Sequence, residues 1–443
     1  MRGSGVSPAT AGATRGQVLA WGLWDWGSAA YNTIVLTFVF SVYLTDTVGD
    51  DLPGSVSANS WLAWAIGLAG LVLAVLAPVL GARADAAGRR RRAVGMWTAA
   101  TVVVMAGLVA VRDDHRYLAL GLVLLALGSI FYELASVSYN AVLRQVSTPA
   151  TIGRVSGFGW AMGYLGGIVL LLGVYLGLIV GDGPLRGLLG VPAADGWNIR
   201  LVALVAAAWF AVFALPMLLV VPEAPPTAPA VPVGVAASYR AVLRDLRALY
   251  RSDPHTVYFL GASALFRDGL AAVFTFGAVL AVTVYGIGGG DVLVFGVVAN
   301  VVAAGGALAA GRIDDRAGPK AVIVGSLLGM IACATVLLFV SGPGAFWVFG
   351  LGLCLFVGPA QSSSRTYLCR LAPPGREGEL FGLYATTGRA VSFLAPTLVG
   401  LFTYLFGSDR AGIVGIVVVL AAGLVALWPV RSPVDPNRRV ADA

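Results

Sequence analysis

The sequence predicts an all-α membrane protein, with twelve transmembrane helices arranged as two pseudo-symmetric six-helix bundles. Three observations carry that prediction. Of the 443 residues, 58% are hydrophobic and only 12% are charged, whereas an ordinary soluble domain carries about 25% charged residues. Many apolar runs reach the roughly 20 residues that a helix needs to cross hydrocarbon. Two motifs also recur, at spacings of 230 and 225 residues, so the second half of the chain reads as a copy of the first.

The spans fall at 17–45, 58–82, 93–111, 117–143, 155–180, 200–221, 255–285, 291–311, 321–341, 346–371, 380–406 and 411–430. Residues 1–16 are rich in Gly, Ala, Ser and Thr. They lack the apolar core of a signal peptide, so the first span is expected to be retained. With the N-terminus inside, the inside segments hold 21 of the 29 basic residues and the outside loops five. That split predicts cytoplasmic termini, and the expected location is the plasma (inner) membrane. It also accounts for the net charge of +7 without nucleic acid as a partner, because the charge lies in short loops and not on one exposed face.

Between spans six and seven, "PEAPPTAPAVP" has five prolines in eleven residues and reads as a stiff linker. The following "SYRAVLRDLRALYRS" places Tyr239, Val242, Leu243, Leu246, Leu249 and Tyr250 on one helical stripe. Arg240, Arg244, Arg247 and Arg251 form another. This pattern fits a helix in the cytoplasmic interface, with a partner helix as the competing reading. Asp253-Pro254 reads as the cap and first turn of span seven. The expected domains are therefore 1–221, a linker and interfacial helix over 222–253, and 254–443.

The repeats locate the first motif. "GARADAAGRR" follows span two and "GRIDDRAGPK" follows span eight, both in the form G-x-x-x-D-x-x-G-x-basic. Gly81, Asp85, Gly88, Arg89 and Arg90 stand against Gly311, Asp315, Arg316, Gly318 and Lys320. After spans four and ten, Leu143, Pro149, Gly153, Gly157 and Gly163 match Leu368, Pro374, Gly378, Gly382 and Gly388. A basic loop alone would signify topology. An aspartate at matched positions in both halves adds an anion that can accept backbone N–H groups at a neighbouring helix start. Such contacts would bias one packing of the two halves over another. In this form the loop resembles the signature between helices 2 and 3 of the major facilitator superfamily, with Ala86 where that family often has a basic residue and Arg316 filling the slot in the second copy.

Three further segments resemble one branch of that superfamily, the vacuolar amino-acid effluxer-like (autophagy-related) transporters. "WGLWDWGSAAY" is similar to the branch's W-x-L-Y-D-W-A-N-S-x-Y, with Trp24 for tyrosine and Ser28 for asparagine. "RVSGFGWAMGYLGG" (154–167) and "SRTYLCRLAPPGREGELFGLY" (364–384) resemble two later segments. A drug-antiporter pattern would want proline after Gly163, where Tyr164 stands. The resemblance implies the major facilitator fold, alternating access, a small polar or zwitterionic solute such as an amino acid, export as the direction, and a monomer.

Ionisable residues inside the spans mark the pathway, because a charge in hydrocarbon costs roughly 2.5–3.5 kcal/mol even on insertion scales. They are Asp25, Glu133, Arg267, Asp268, Arg365 and Arg389, three acids against three arginines, as expected if each finds a partner out of water. Asp25, Ser28 and Asn32 share one helical face, as do Gln361 and Arg365, and Tyr139 and Asn140 lie about two turns after Glu133. The tryptophans around Asp25 are expected to anchor and pack the outer faces of that turn. Spans 1, 4, 7 and 10, which hold most of the charges, line the central cavity in the resembled family. Two roles follow and are not exclusive. Inter-half ion pairs can close the cytoplasmic side, or the charges can form a dipolar pocket for a zwitterion. Asp25 and Glu133 are the candidates for proton coupling, since Asp268 lies beside Arg267; another coupling ion is the alternative.

No enzyme is expected. His115 and His255 lie at span ends, and no phosphate-binding G-x-x-x-x-G-K-[ST] loop is present. Cys333, Cys354 and Cys369 have no metal-ligand spacing, so no metal and no cofactor are expected. A transporter-like sensor that binds without moving its ligand, and a drug or lipid exporter of the same fold, are the rival readings.

Overall fold

The computed structural model describes residues 13–223 and 235–432. Its twelve membrane-length helices are α1 (Arg15–Asp46), α2 (Ala58–Ala86), α3 (Arg90–Ala110), α4 (His115–Val142), α5 (Ile152–Ile179), α6 (Ala194–Val220), α8 (Pro254–Thr283), α9 (Asp291–Ala317), α10 (Pro319–Phe339), α11 (Pro343–Leu371), α12 (Glu377–Phe406) and α13 (Asp409–Leu427). A shorter helix, α7 (Val235–Ser252), precedes α8. The only strands among the described residues are β1 (Leu185–Arg186) and β2 (Val191–Pro192), a short hairpin between α5 and α6. Helices are what an apolar chain forms in lipid, because they satisfy every backbone donor and acceptor internally. The proline-rich linker (224–234) lies outside the described residues.

Local chemistry sets the helix starts. Thr14 caps α1 in a reciprocal box with Gln17, and Ser57 caps α2. Asp253 accepts from the His255 N–H at 3.2 Å and the Thr256 hydroxyl at 2.7 Å, with Pro254 in the first turn of α8. Three helices are irregular. The middle of α1 (Ala30–Phe38) and the end of α5 (Tyr175–Ile179) are π-wound. The sequence predicts α12 as one continuous span, whereas it is broken between Val391 and Leu394. Pro396 explains the break: it has no N–H to bond the Ser392 carbonyl, and its ring crowds that carbonyl.

The first six helices pack as one bundle, with α1 on α5 and α6, α2 on α4, and α3 on α4 and α6. In the second bundle α8 packs on α13, α9 on α11, and α10 on α11 and α13. Between bundles, α2 meets α12 and α5 meets α9. These two seams are the same contact made twice. A Cβ on Gly81 would strike the Gly378 carbonyl, and one on Gly311 the Gly153 carbonyl. Likewise Gly382 rests on the Ala77 carbonyl and Gly157 on the Ala307 carbonyl. Gly81 and Ala77 lie 230 residues before Gly311 and Ala307, and Gly153 and Gly157 lie 225 before Gly378 and Gly382. Glycine is needed at these positions because the backbones touch.

All these contacts lie toward one end of the bundles, the basic face that carries the arginine-rich loops. Among the described residues, no inter-bundle hydrogen bond or ion pair involves α2 before Ala74, α5 after Ser156 or α12 after Arg389. The structure is closed at the basic face and carries no such polar tie toward the opposite one, where Tyr164 of α5 stacks on Phe274 of α8, ring centroids 6.3 Å apart. Helix α7 lies under the α2–α12 seam: Val242 is buried, Tyr239 donates to the Val75 carbonyl, and Asp245 pairs with Arg376 at 2.5 Å.

Candidate functional site

A cavity of about 340 Å³ lies between the bundles, within the range of small-molecule sites. Its walls come from α1, α4, α5, α8, α11 and α12. Asn32, Glu133, Asn140, Arg267, Asp268, Gln361, Arg365 and Arg389 line it, whereas Asp25, Ser28 and Tyr139 lie behind that wall. Ser28 is buried and donates to the Asp25 carbonyl at 3.1 Å. Asn32 donates to the Tyr132 hydroxyl at 2.7 Å.

Arg365 is the central tie. Its Nη1 approaches Asp25 Oδ2 and Asn140 Oδ1, each at 3.3 Å. Its Nε donates to Ser156 Oγ at 3.0 Å and its Nη2 to the Ser156 carbonyl at 2.6 Å. Tyr139 donates to the same Asp25 oxygen at 2.7 Å. The Arg365 guanidinium lies 4.8 Å from the Trp21 ring centroid, a cation–π contact. One side chain on α11 thus holds α1, α4 and α5.

The tryptophans do not sit where the sequence suggests. Trp21 and Trp24 are fully buried and stack on Tyr139, with ring centroids 4.6 and 4.1 Å apart. Trp24 Nε1 donates to Thr98 at 3.0 Å. Trp26 points the other way and is half-buried against Trp209 and Phe213 on α6. The spacing accounts for this: Trp21 lies four residues before Asp25 and therefore on its inward face.

Glu133 and Arg389 form the second inter-bundle pair, at 2.5 Å. The expectation that each acid finds an arginine fails for the remaining two charges. Arg267 donates to the Tyr384 carbonyl at 3.0 Å and lies 3.7 Å over the Tyr384 ring. Asp268 instead accepts the Ala395 N–H at 2.6 Å. Neighbours on a helix point about 100° apart, and here the two side chains turn to different partners. Sequence reasoning missed Tyr132, Trp160, Ser156 and Tyr384. Their only signal is position, since each falls on or beside the charged stripes.

The repeated loops form a second cluster at the basic face. Asp85 accepts from Arg90 Nε at 2.6 Å and from the Glu379 N–H, at the start of α12, at 2.9 Å. Arg90 continues to Glu377, which also takes Arg144 at 3.2 Å. In the second copy Asp315 accepts the Gly153 and Arg154 N–H groups, at the start of α5, at 2.8 and 3.2 Å, and Arg154 Nε at 2.8 Å. Its neighbour Asp314 is buried, 3.4 Å from Arg370. Gly88 and Gly318 end α2 and α9 at φ +62° and +87°, which favours glycine. Arg89 and Arg316 are exposed. Lys320, the counterpart of Arg90, is diverted to the Trp428 and Val430 carbonyls, at 2.8 and 2.6 Å. Glu377 and Glu379 carry a sequence signal of their own: acidic residues in a first helical turn are favoured by the dipole. Replacing Glu377 by Gln keeps an acceptor but leaves two arginines undercharged. It should cost about 1–3 kcal/mol, read as a lower unfolding temperature that Asp245→Asn, at the periphery, does not match.

The family model described as "Vacuole effluxer Atg22 like" matches residues 145–435. The uncharacterized MFS-type transporter YxiO of Bacillus subtilis is 26% identical over 92% of this chain and 93% of its own length. Autophagy-related protein 22-1 of Aspergillus fumigatus is 26% identical over 66% of this chain, and the match spans about half (49%) of that protein. Among solved structures, the proton:xylose symporter XylE bound to 6-bromo-6-deoxy-D-glucose superposes with a TM-score of 0.72 at 13% identity, covering 95% of this chain and 96% of that one. FucP in the outward conformation gives 0.69 at 12% identity, over 93% and 97%. At such identities these structures speak for the fold alone. Sequence and fold therefore converge: the chain is a multi-pass transporter of the major facilitator superfamily, not an enzyme, and belongs to its vacuole effluxer Atg22-like family.

Proposed function

We propose that the protein is a secondary transporter for a small zwitterion of the amino-acid class, working by alternating access with a proton or another ion as the coupling species. One observation supports this above the others. Of the six charges inside the spans, Asp25–Arg365 and Glu133–Arg389 satisfy each other across the bundles. Arg267 and Asp268 remain, a cation with no carboxylate partner among the described residues and an anion with no arginine, side by side on the cavity wall. A solute carboxylate at Arg267 and its ammonium at Asp268 would complete both. The two sequence readings then divide the work: the self-paired charges hold the gate, and the unpaired ones bind.

The loops at the closed face carry most of the basic residues, so that face is assigned to the cytoplasm, as in a plasma-membrane monomer with cytoplasmic termini. The structure then faces outward. Export is the direction that the family description supports.

The test uses purified protein and proteoliposomes. Alanine should raise the unfolding temperature and cross the vesicle membrane under an imposed pH gradient. Arg267→Ala should lose both responses, with at least a tenfold weaker apparent affinity, about 1.4 kcal/mol. Binding without flux would make the protein a sensor. Stabilisation by hydrophobic cations alone would overturn the zwitterion reading.

A further inference from the structure

The break in α12 has a chemical partner in the cavity, and its position matters. The segment before the break, Glu377–Val391, belongs to the closed seam: Thr386 donates to the Ala74 carbonyl at 2.9 Å, and Gly382 rests on Ala77. Past the break, Leu394–Phe406 leans on its own bundle, against α13 and α8. It leaves Leu401, Tyr404 and Phe406 exposed, and the face of α2 that meets α12 at Ala74 and Ala77 continues outward as Gly67 and Ala63, both exposed. The two halves of one helix therefore serve different bodies, one fixed in the seam and one free to approach α2.

Breaking a helix leaves N–H groups without acceptors at the new start. Here the carboxylate of Asp268 supplies one, with Oδ2 accepting the Ala395 N–H at 2.6 Å. The anion also matches the partial positive charge at that helix end. Asp268 Oδ1 takes no hydrogen bond from the described residues, and Asp268 lines the cavity together with Ser392, the first residue of the hinge. The corresponding helix of the first half, α5, runs through its equivalent position, Gly167, without a break. The hinge is a departure from the repeat, placed where α12 passes the unpaired acid.

We infer that Asp268 couples the cationic end of a bound solute to the outer half of α12, holding that half-helix open until the charge is engaged elsewhere. This rests on the zwitterion reading of the cavity. An ammonium group is a full positive charge, and it competes for the same carboxylate with a helix end worth about half a charge. Once engaged, Asp268 holds Ala395 less tightly. The outer segment pivots at Ser392–Phe393 toward the bare face of α2 and covers the cavity. A solute with no cationic group would bind at Arg267 and leave the gate open.

Spin labels on Trp61→Cys and Tyr404→Cys, in the full-length protein with its native cysteines replaced, report the gap between α2 and the outer half of α12. Without any solute, Asp268→Asn and Asp268→Ala should shift the separation from the wide population to one shorter by about 5 Å. In the wild type, alanine should produce the same shift and propionate should not. Resting distances in both Asp268 variants identical to wild type would overturn the coupling, whatever the solutes do. If the variants shorten but alanine leaves the wild type unmoved and unstabilised, the zwitterion reading fails and the latch role of Asp268 stands. Pro396→Ala guards against variants that do not fold. It restores a continuous helix and should fix the separation at one value, and a separation that still responds to alanine would count against the hinge.

Discussion

Arg365→Ala should unlock the basic face. Arg365 carries four polar contacts to three helices of the other bundle and a cation–π contact on Trp21. Removing one member of a buried ion pair typically costs 3–5 kcal/mol, because the partner charge stays behind in low dielectric. Asp25 would retain only the Tyr139 hydroxyl. The expected result is a drop in unfolding temperature together with labelling of a Gln361→Cys reporter from the basic side, which the wild type blocks. Arg365→Lys should recover only part of this, since an ammonium cannot reproduce the fork that reaches Asp25 and Ser156 together. Unchanged protection of position 361 in Arg365→Ala would show that the tie is dispensable.

Gly157→Val should disable the same face by crowding instead of lost contacts, giving a protein that folds but cannot close. The added side chain meets the Ala307 carbonyl, a backbone atom with little room to yield. Overpacking of this kind costs about 1–3 kcal/mol where side chains can adjust, and more is expected against a rigid carbonyl. Because only the closed state uses that contact, the cost falls on one conformation and shifts the equilibrium. Flux should fall at least tenfold with little change in expression or helix content. Gly382→Val, the same position in the second half, should behave alike, because it meets the Ala77 carbonyl. Gly173→Val, in the same helix as Gly157 but with nothing near its Cβ, serves as the control. Normal transport by Gly157→Val would refute the role assigned to the seam.

Much of this was legible from the chain because it depends on local composition or on exact repetition. A span announces itself by some 20 apolar residues, and the seam positions by glycines that recur in both halves. What escaped depends on tertiary placement. Asp268 reads as the neighbour of an arginine, and only the path of α12 shows that it serves a helix start 127 residues away. Trp21 and Trp24 read as interface anchors, although the four-residue spacing from Trp21 to Asp25 already placed one of them inside. Pro396 was visible, yet span length alone did not say whether the helix bends there or breaks. Glu377 lay in a stretch noted only for resemblance, and its role appears when Arg90 and Arg144 converge on it.

The two seams have the same plan but not the same strength. In one, Arg90 and its two acids are almost wholly out of solvent, with side chains 6%, 1% and 3% exposed. In the other, Arg154 is 55% exposed, and Lys320 has been drawn away to the end of α13. An exposed pair is weakened by salt and water far more than a buried one. The bundles are therefore joined like a page bound on one edge and clipped on the other. Raised salt should loosen α5 from α9 before it loosens α2 from α12.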